Sequence, residues 1–263
     1  MRDLFVIKIG GNIIDDETKL SLFLKQFASV EGRKVLVHGG GKLATKLADQ
    51  LGVQQQMIEG RRITDAETLK IVTMVYAGYI NKNIVAQLQA LNCNAIGLTG
   101  ADANLLQAKK RKHASIDYGF VGDVDSASFP AGSWQALLEE GFTPVMAPIT
   151  HNGQGQLLNT NADTIAQEIA KGLGAEYNVK LVYSFEKSGV LLDTNDEGSV
   201  INKLNKTYYS ELREKGLIFA GMIPKLDNAF TAIDSGVQKV IIGKAEELNE
   251  LITGAKGTSL TNE

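Results

Sequence analysis

A single cysteine, Cys93, stands in a chain of 263 residues. It excludes an internal disulfide, fits a reducing compartment, and reads as a small buried hydrophobe. No apolar run approaches the ~18 residues of a membrane span. Met1, Arg2 and Asp3 lead straight into a short apolar run that Lys8 interrupts where a secretion signal would continue it, so a cytoplasmic protein is expected. There is no low-complexity segment and no period of 20–50 residues, which argues against repeat architectures. The 27 basic and 30 acidic side chains leave a formal net charge of −3, and nothing in that balance points to nucleic acid or a membrane surface. The common phosphate and nucleophile signatures are missing too: the chain holds no G-x-x-x-x-G-K-[ST] loop, no G-x-G-x-x-G turn and no G-x-S-x-G elbow. No cluster of His, Cys and carboxylates looks like a protein metal site.

What is present is a globular composition, 44% hydrophobic and 22% charged, long enough to bury a large core. Two short apolar strands each end in a glycine turn beside a basic or imidazole side chain. The first runs from Leu4 through Lys8 to Gly10 and Gly11, and the second from Lys34 through His38 to Gly39, Gly40 and Gly41. Apolar, β-branched runs that feed helices read as buried parallel strands. Glycines at such strand ends expose backbone N–H groups with no Cβ in the way, and the following helix N-terminus adds partial positive charge. Lys8 adds a full charge beside the first turn. Two anion cradles suggest a site that joins two anionic partners. Three successive glycines carry an entropic cost that an ordinary turn need not incur. His38 reads as a strand-end histidine satisfied by backbone rather than as a catalytic group.

Strands and helices then alternate. Helices are expected over 15–30, 42–51, 65–90 with Thr64 as N-cap, 134–140, 162–173, 208–215, 225–235 and 246–252. Strands are expected over 34–38, near 53–63, and over 95–98, 143–146, 179–183, 190–193, 200–201 and 237–242, with a Thr194, Asn195, Asp196 turn between the two short ones. Residues 103–124 read as a loop and hairpin carrying a basic run, Lys109 to Lys112, that is taken as a solvated face. A second hairpin lies around Asn152 and Gly153, and Gly172 or Gly174 ends the helix before it leaves the first lobe. The pattern predicts an α/β fold, a three-layer sandwich with a mostly parallel central sheet flanked by helices. It divides into lobes 1–175 and 176–263 that share the sheet, with a cleft above its strand ends.

Four further segments complete the pattern: Gly60, Arg61, Arg62, Ile63, Thr64; Asp117 to Val124; Leu158, Asn159, Thr160, Asn161, Ala162, Asp163; and Gly221, Met222, Ile223, Pro224, Lys225. With the two glycine turns they stand in the order seen in acetylglutamate kinases, and the chain resembles that branch of the amino-acid kinase family over essentially its whole length. The resemblance implies ATP-dependent phosphorylation of the γ-carboxylate of an N-acylated glutamate, an early step of arginine synthesis, with Mg²⁺ carried by the ATP phosphates. An ionised carboxylate needs no general base, so catalysis reduces to bringing two anions into line and stabilising the transferring phosphoryl group.

By the family pattern Lys8 bridges the ATP phosphates and the transferred group, Lys225 sits on the leaving side, and Asp163 holds both ammonium groups. Gly10, Gly11 and Gly40 supply N–H donors. Arg62 grips the substrate α-carboxylate, with Gly39, Gly40, Gly41 and Asn159 completing the pocket, while Arg61 faces solvent. Lobe 1–175 binds the acyl amino acid and dimerises, and lobe 176–263 binds ATP through Lys8, Glu186, Gly189 and Lys225. The chain departs from its relatives at Phe185 and Glu186, at Gly243 and Lys244, and at Ala101, near where the acyl group should lie. The acyl group therefore stays open between acetyl and succinyl, the latter served by the basic run. With Lys8 so near Met1 there is no room for the helical extension of arginine-inhibited relatives, and a homodimer with little or no arginine inhibition is expected. The alternatives are another enzyme of the same fold, or an inactive nucleotide or amino-acid sensor.

Overall fold

The computed structural model describes residues 1–262 apart from 59–60, 194 and 219–221. Gly60, Thr194 and Gly221, each part of a segment named above, lie outside the described residues. Eight described strands form one sheet: β1 (Arg2–Ile9), β2 (Arg33–His38), β3 (Ala95–Leu98), β4 (Thr143–Met146), β5 (Tyr177–Phe185), β6 (Lys203–Leu204), β7 (Lys239–Lys244) and β8 (Thr258–Leu260). Their order is β6-β8-β7-β5-β1-β2-β4-β3, and every neighbouring pair is parallel except β7 with β8. Helices cover both faces, as the apolar strands require. Along β1, Leu4 and Val6 belong to the core on one face, and Phe5, Ile7 and Ile9 to the core on the other. Lys8 shares the face of Leu4 and Val6 by the two-residue period, but stands at the strand's last turn of the pleat, where the covering helix begins.

Register brings the glycine turns together. Ile9 pairs with His38 on one side and with Ser184 on the other, so Gly10 and Gly39 leave the sheet side by side at the C-terminal ends of β1 and β2. The small hairpins stand where they were expected: Ala108–Lys110 pairs with Gly122–Val124, and Ile149–His151 with Leu157–Asn159.

Several local expectations are corrected. The helix over 65–90 is three segments, Ala66–Thr73, a π-helical stretch Met74–Ile80, and Asn81–Ala90, and its N-cap is Asp65, whose carboxylate accepts from Thr68 N at 2.7 Å. Thr64 instead donates its hydroxyl to Arg62 O. The helix expected over 15–30 runs Glu17–Ser29 with Asp16 as its N-cap, and a separate four-residue helix, Gly11–Ile14, precedes it. Gly174 closes helix Ala162–Leu173 with right-handed φ of −64°, and Gly172 inside it makes room for the Phe129 ring, 2.4 Å from where a Cβ would stand. Residues 190–193 and 200–201 meet only in the bridge of Leu191 with Val200. The antiparallel β8 was not foreseen.

Candidate active site

Lys8 and Asp163 meet first. Asn161 caps helix Ala162–Leu173, its side chain accepting from Asp163 N at 2.8 Å and Thr164 N at 3.1 Å, which sets Asp163 in the first turn where the helix dipole favours a carboxylate. That helix covers the face of β1 from which Lys8 emerges, and Lys8 Nζ lies 2.8 Å from Asp163 Oδ1. Burial pushes the Asp163 carboxyl up, but the Lys8 charge and hydrogen bond, with the charge of Lys225, hold it below its ordinary value. Lys225, in helix Ile223–Asp234, is drawn down by burial, up by Asp163, down again by Lys8 and up by Glu186, with a net lowering. Its Nζ stands 4.7 Å from the centre of the Phe185 ring, a cation–π seat supplied by the end of β5. One carboxylate thus acts on two ammonium groups and offsets their mutual repulsion. Among the described residues, Lys8 is the direct ion-pair partner of Asp163, and Lys225 acts on it through its field.

A cleft of about 230 Å³ adjoins this pair, lined by Gly11, Gly39, Gly40, Gly41, Arg62 and Asn159 together with Tyr76, Ala162 and others. Asp163 follows Ala162 directly. Arg62 is buried and braced at both terminal nitrogens: Nη2 donates to Gly41 O at 2.8 Å and to Thr45 Oγ1 at 2.9 Å, and Nη1 to Gln55 Oε1. Across the cleft, Asn159 Nδ2 donates to Thr64 Oγ1 at 3.0 Å, and that hydroxyl donates in turn to Arg62 O at 2.9 Å. Thr64 therefore ties the Asn159 side chain to the Arg62 backbone. Gly40 has φ of +143°, and a Cβ there would lie 2.1 Å from Ile80 Cδ1, so glycine is required by conformation and by contact.

The structure separates the other expected residues. Gly10 cannot serve as a donor in this arrangement because its N–H is committed to Ser184 O at 3.1 Å, so the cradle after β1 begins at Gly11. Glu186 is exposed and touches the site through its effect on Lys225. Gly189 packs against Thr258 and Val200, where a Cβ would stand 2.7 Å from Thr258 Oγ1. Arg61, expected to face solvent, is half-buried and lines the cleft. The basic run is occupied with its own hairpin: Lys109 pairs with Asp125 at 2.9 Å, Lys110 with Asp117 at 3.7 Å, and Arg111 with Asp123. A larger cavity of about 770 Å³, lined by Asp15, Lys42, Lys46 and Tyr79, contains none of these residues.

Tyr76 was missed by the sequence reading. It is 5% exposed, sits in the π-helical stretch, and presses its ring on Gly40, 3.3 Å from where a Cβ would be. Burial raises its pKa, and the neighbouring Arg62 opposes that shift. The signal was available: Leu69, Val72, Tyr76 and Ile80 follow one helical stripe, and a core-facing tyrosine needs a polar outlet for its hydroxyl. Thr64, Thr45 and Gln55 carried no such signal.

Paired lysines around one carboxylate, set at the C-terminal ends of parallel strands beside a cleft with an arginine fork, define a phosphotransferase that works on small anionic molecules. The chain matches the model of the amino acid kinase family over residues 3–244, and it belongs to that family. Among curated proteins it is 57% identical over 263 residues to an acetylglutamate kinase of Cytophaga hutchinsonii, covering 99% of each chain. It is 55% identical over 258 residues to an acetylglutamate kinase of Parabacteroides distasonis, covering 98% of this chain and 99% of that one. Among solved structures, a protein from Streptococcus mutans UA159 superposes with a TM-score of 0.78 at 28% identity, with both chains fully covered. No helix among the described residues is long and apolar enough to cross a membrane.

Proposed function

We propose that this chain is an ATP-dependent kinase that transfers the γ-phosphoryl group to the side-chain carboxylate of N-acetylglutamate, forming an acyl phosphate for arginine biosynthesis in the cytoplasm. The observation that carries the reading is the Lys8–Asp163 pair with Lys225 in its field, directly beside the cleft of Arg62 and Asn159. The γ-carboxylate is the nucleophile and is already ionised, so the protein's work is alignment and charge stabilisation. Lys8 would meet the transferring phosphoryl oxygens, Lys225 the leaving side, and Gly11 and Gly40 would offer N–H groups, while Arg62 takes the α-carboxylate with the two-pronged geometry that guanidinium provides.

ATP would bring Mg²⁺ on its phosphate oxygens and water; among the described residues no group of three or more His, Cys, Asp or Glu side chains forms a metal site. In this reading lobe 1–175 holds the acyl amino acid and lobe 176–263 holds ATP. The protein works as a homodimer joined through 65–90, where Met74 and Tyr79 stand exposed on the helix. One observation favours a second reading of the acyl group, N-succinyl: Arg61 lines the cleft alongside Arg62, and a second carboxylate needs a cationic partner. Hydroxylamine trapping tests the assignment. ATP, Mg²⁺ and N-acetylglutamate should yield a hydroxamate, and N-succinylglutamate run in parallel ranks the acyl groups by kcat/KM. ATP consumption without hydroxamate from either would refute the assignment.

A further inference from the structure

His38 and Asn81 are buried polar groups that the reaction described above leaves without a role. His38 ends β2 and is fully buried, and Asn81 is 1% exposed where helix Asn81–Ala90 leaves the π-helical stretch. Each proton between them can be placed from donor and acceptor chemistry. Asn81 Oδ1 lies 3.1 Å from Lys82 Nζ, which can only donate, so that atom is the amide oxygen. Asn81 Nδ2 lies 2.8 Å from Val145 O, which can only accept, so one amide hydrogen is spent there. The other points at His38 Nε2, 3.1 Å away, and that nitrogen must accept. The imidazole proton is left on Nδ1, which donates to Gly39 O at 2.9 Å. Lys82 also donates to Gly97 O at 2.8 Å, which ties the amide to β3.

The consequence falls on the next peptide. The Gly39–Gly40 bond is trans, as every described peptide is, so its N–H runs antiparallel to its C=O. Anchoring Gly39 O on the imidazole turns the Gly40 N–H away from His38, and Gly39 and Gly40 both line the cleft. Gly40 has no Cβ to fix its own conformation, and its φ of +143° lies in the region that glycine visits freely. Something outside the residue must hold the peptide plane.

We propose that His38 and Asn81 are positioning residues, in which the Asn81 amide fixes the Nδ1–H tautomer of His38 and that proton aims the Gly40 N–H at the transferring phosphoryl group. The inference rests on the phosphoryl-transfer reading, and adds to it a proton inventory two layers behind the reacting atoms. Burial lowers the His38 pKa to about 4, with Lys82 working in the same direction, so the neutral ring persists at working pH; Lys82 is the charged group acting on it.

The test has two arms. Long-range ¹H–¹⁵N spectra of the imidazoles in the wild-type protein should show His38 as the Nδ1–H tautomer from pH 8 to 6; an Nε2–H tautomer overturns the proposal whatever the activity. In the second arm, His38→Asn keeps a short donor for Gly39 O, whereas His38→Gln reaches toward Asn81 without one. His38→Gln should lose ~10–100-fold in kcat with KM values within about threefold, and His38→Asn should recover most of that loss. A folded His38→Gln enzyme with full kcat overturns the proposal. If neither variant folds, the tautomer decides. Failure of wild-type protein to form hydroxamate would sink the phosphoryl-transfer reading, and the tautomer result stands apart from it.

Discussion

Acidification should destabilise this protein well above the pH at which its carboxylates titrate, because His38 is buried neutral. Its pKa is about 4 in the folded chain against 6.5 when exposed, with burial as the largest cause. A base whose folded pKa is depressed binds more protons when unfolded, so stability falls as pH drops through 6.5 and the loss is complete below about 4. Between pH 7.5 and 5.0 this one group should remove about 2 kcal/mol, and the full difference of ~2.5 pH units corresponds to about 3.4 kcal/mol. Urea unfolding at the two pH values measures it. The chain has three histidines, so the reference is His38→Asn, in which the other two contribute as in the wild type. The wild type should lose about 2 kcal/mol more than the variant over this interval. Equal losses would show that the imidazole gains a proton in the folded state, which contradicts the bonding with Asn81 and Gly39.

Four other outcomes follow from the site. Lys8→Ala and Lys225→Ala should each lower kcat by ~10²–10³ while shifting the KM of the acyl amino acid far less, since their contacts strengthen in the transition state; steady-state kinetics on the coupled ATP assay reads both. Arg62→Lys gives up the fork that reaches Gln55, Gly41 and Thr45, and should raise that KM ~10-fold or more with kcat much less affected. Tyr76→Phe should raise the KM of the acyl amino acid severalfold and leave that of ATP unchanged; an ATP effect instead would put Tyr76 on the wrong side of the site. Gly40→Ala should abolish activity and lower the melting temperature, because its Cβ would stand 2.1 Å from Ile80 at a left-handed φ.

The local sequence determined the element types and the chemistry of the site. Apolar runs such as Leu4 to Ile7 and Val35 to Val37 are strands because β-branched residues buried on both faces suit nothing else of that length, and the glycines after them mark the ends where ligands gather. Lys8, Lys225, Asp163, Arg62 and Asn159 could be singled out as candidates because few residue types can carry phosphate and carboxylate chemistry and these stood in a recognisable order; the fold brings Lys8 to Asp163, within the field of Lys225, and sets Arg62 and Asn159 on one cleft. Short or irregular pieces escaped: β8 has three residues and no period to read, and the π-helical stretch differs from an α-helix by one hydrogen-bond step that sequence spacing does not resolve. Distances across the chain were decided by tertiary structure alone. Strand register with β2 set Gly10 beside Gly39, and the pairing on the other side of β1, with β5, consumed the Gly10 N–H on Ser184. The hairpin's own aspartates pair with Lys109, Lys110 and Arg111 on a face that stays largely exposed, as the charge run suggested, whereas the fold set Arg61, expected to face solvent, half-buried on the cleft. The proton on His38 is the clearest case: it is fixed by Asn81, Val145, Lys82 and Gly39, four residues from three stretches of chain, and hydrogen-bond donors and acceptors acquire their roles only once the fold has chosen their neighbours.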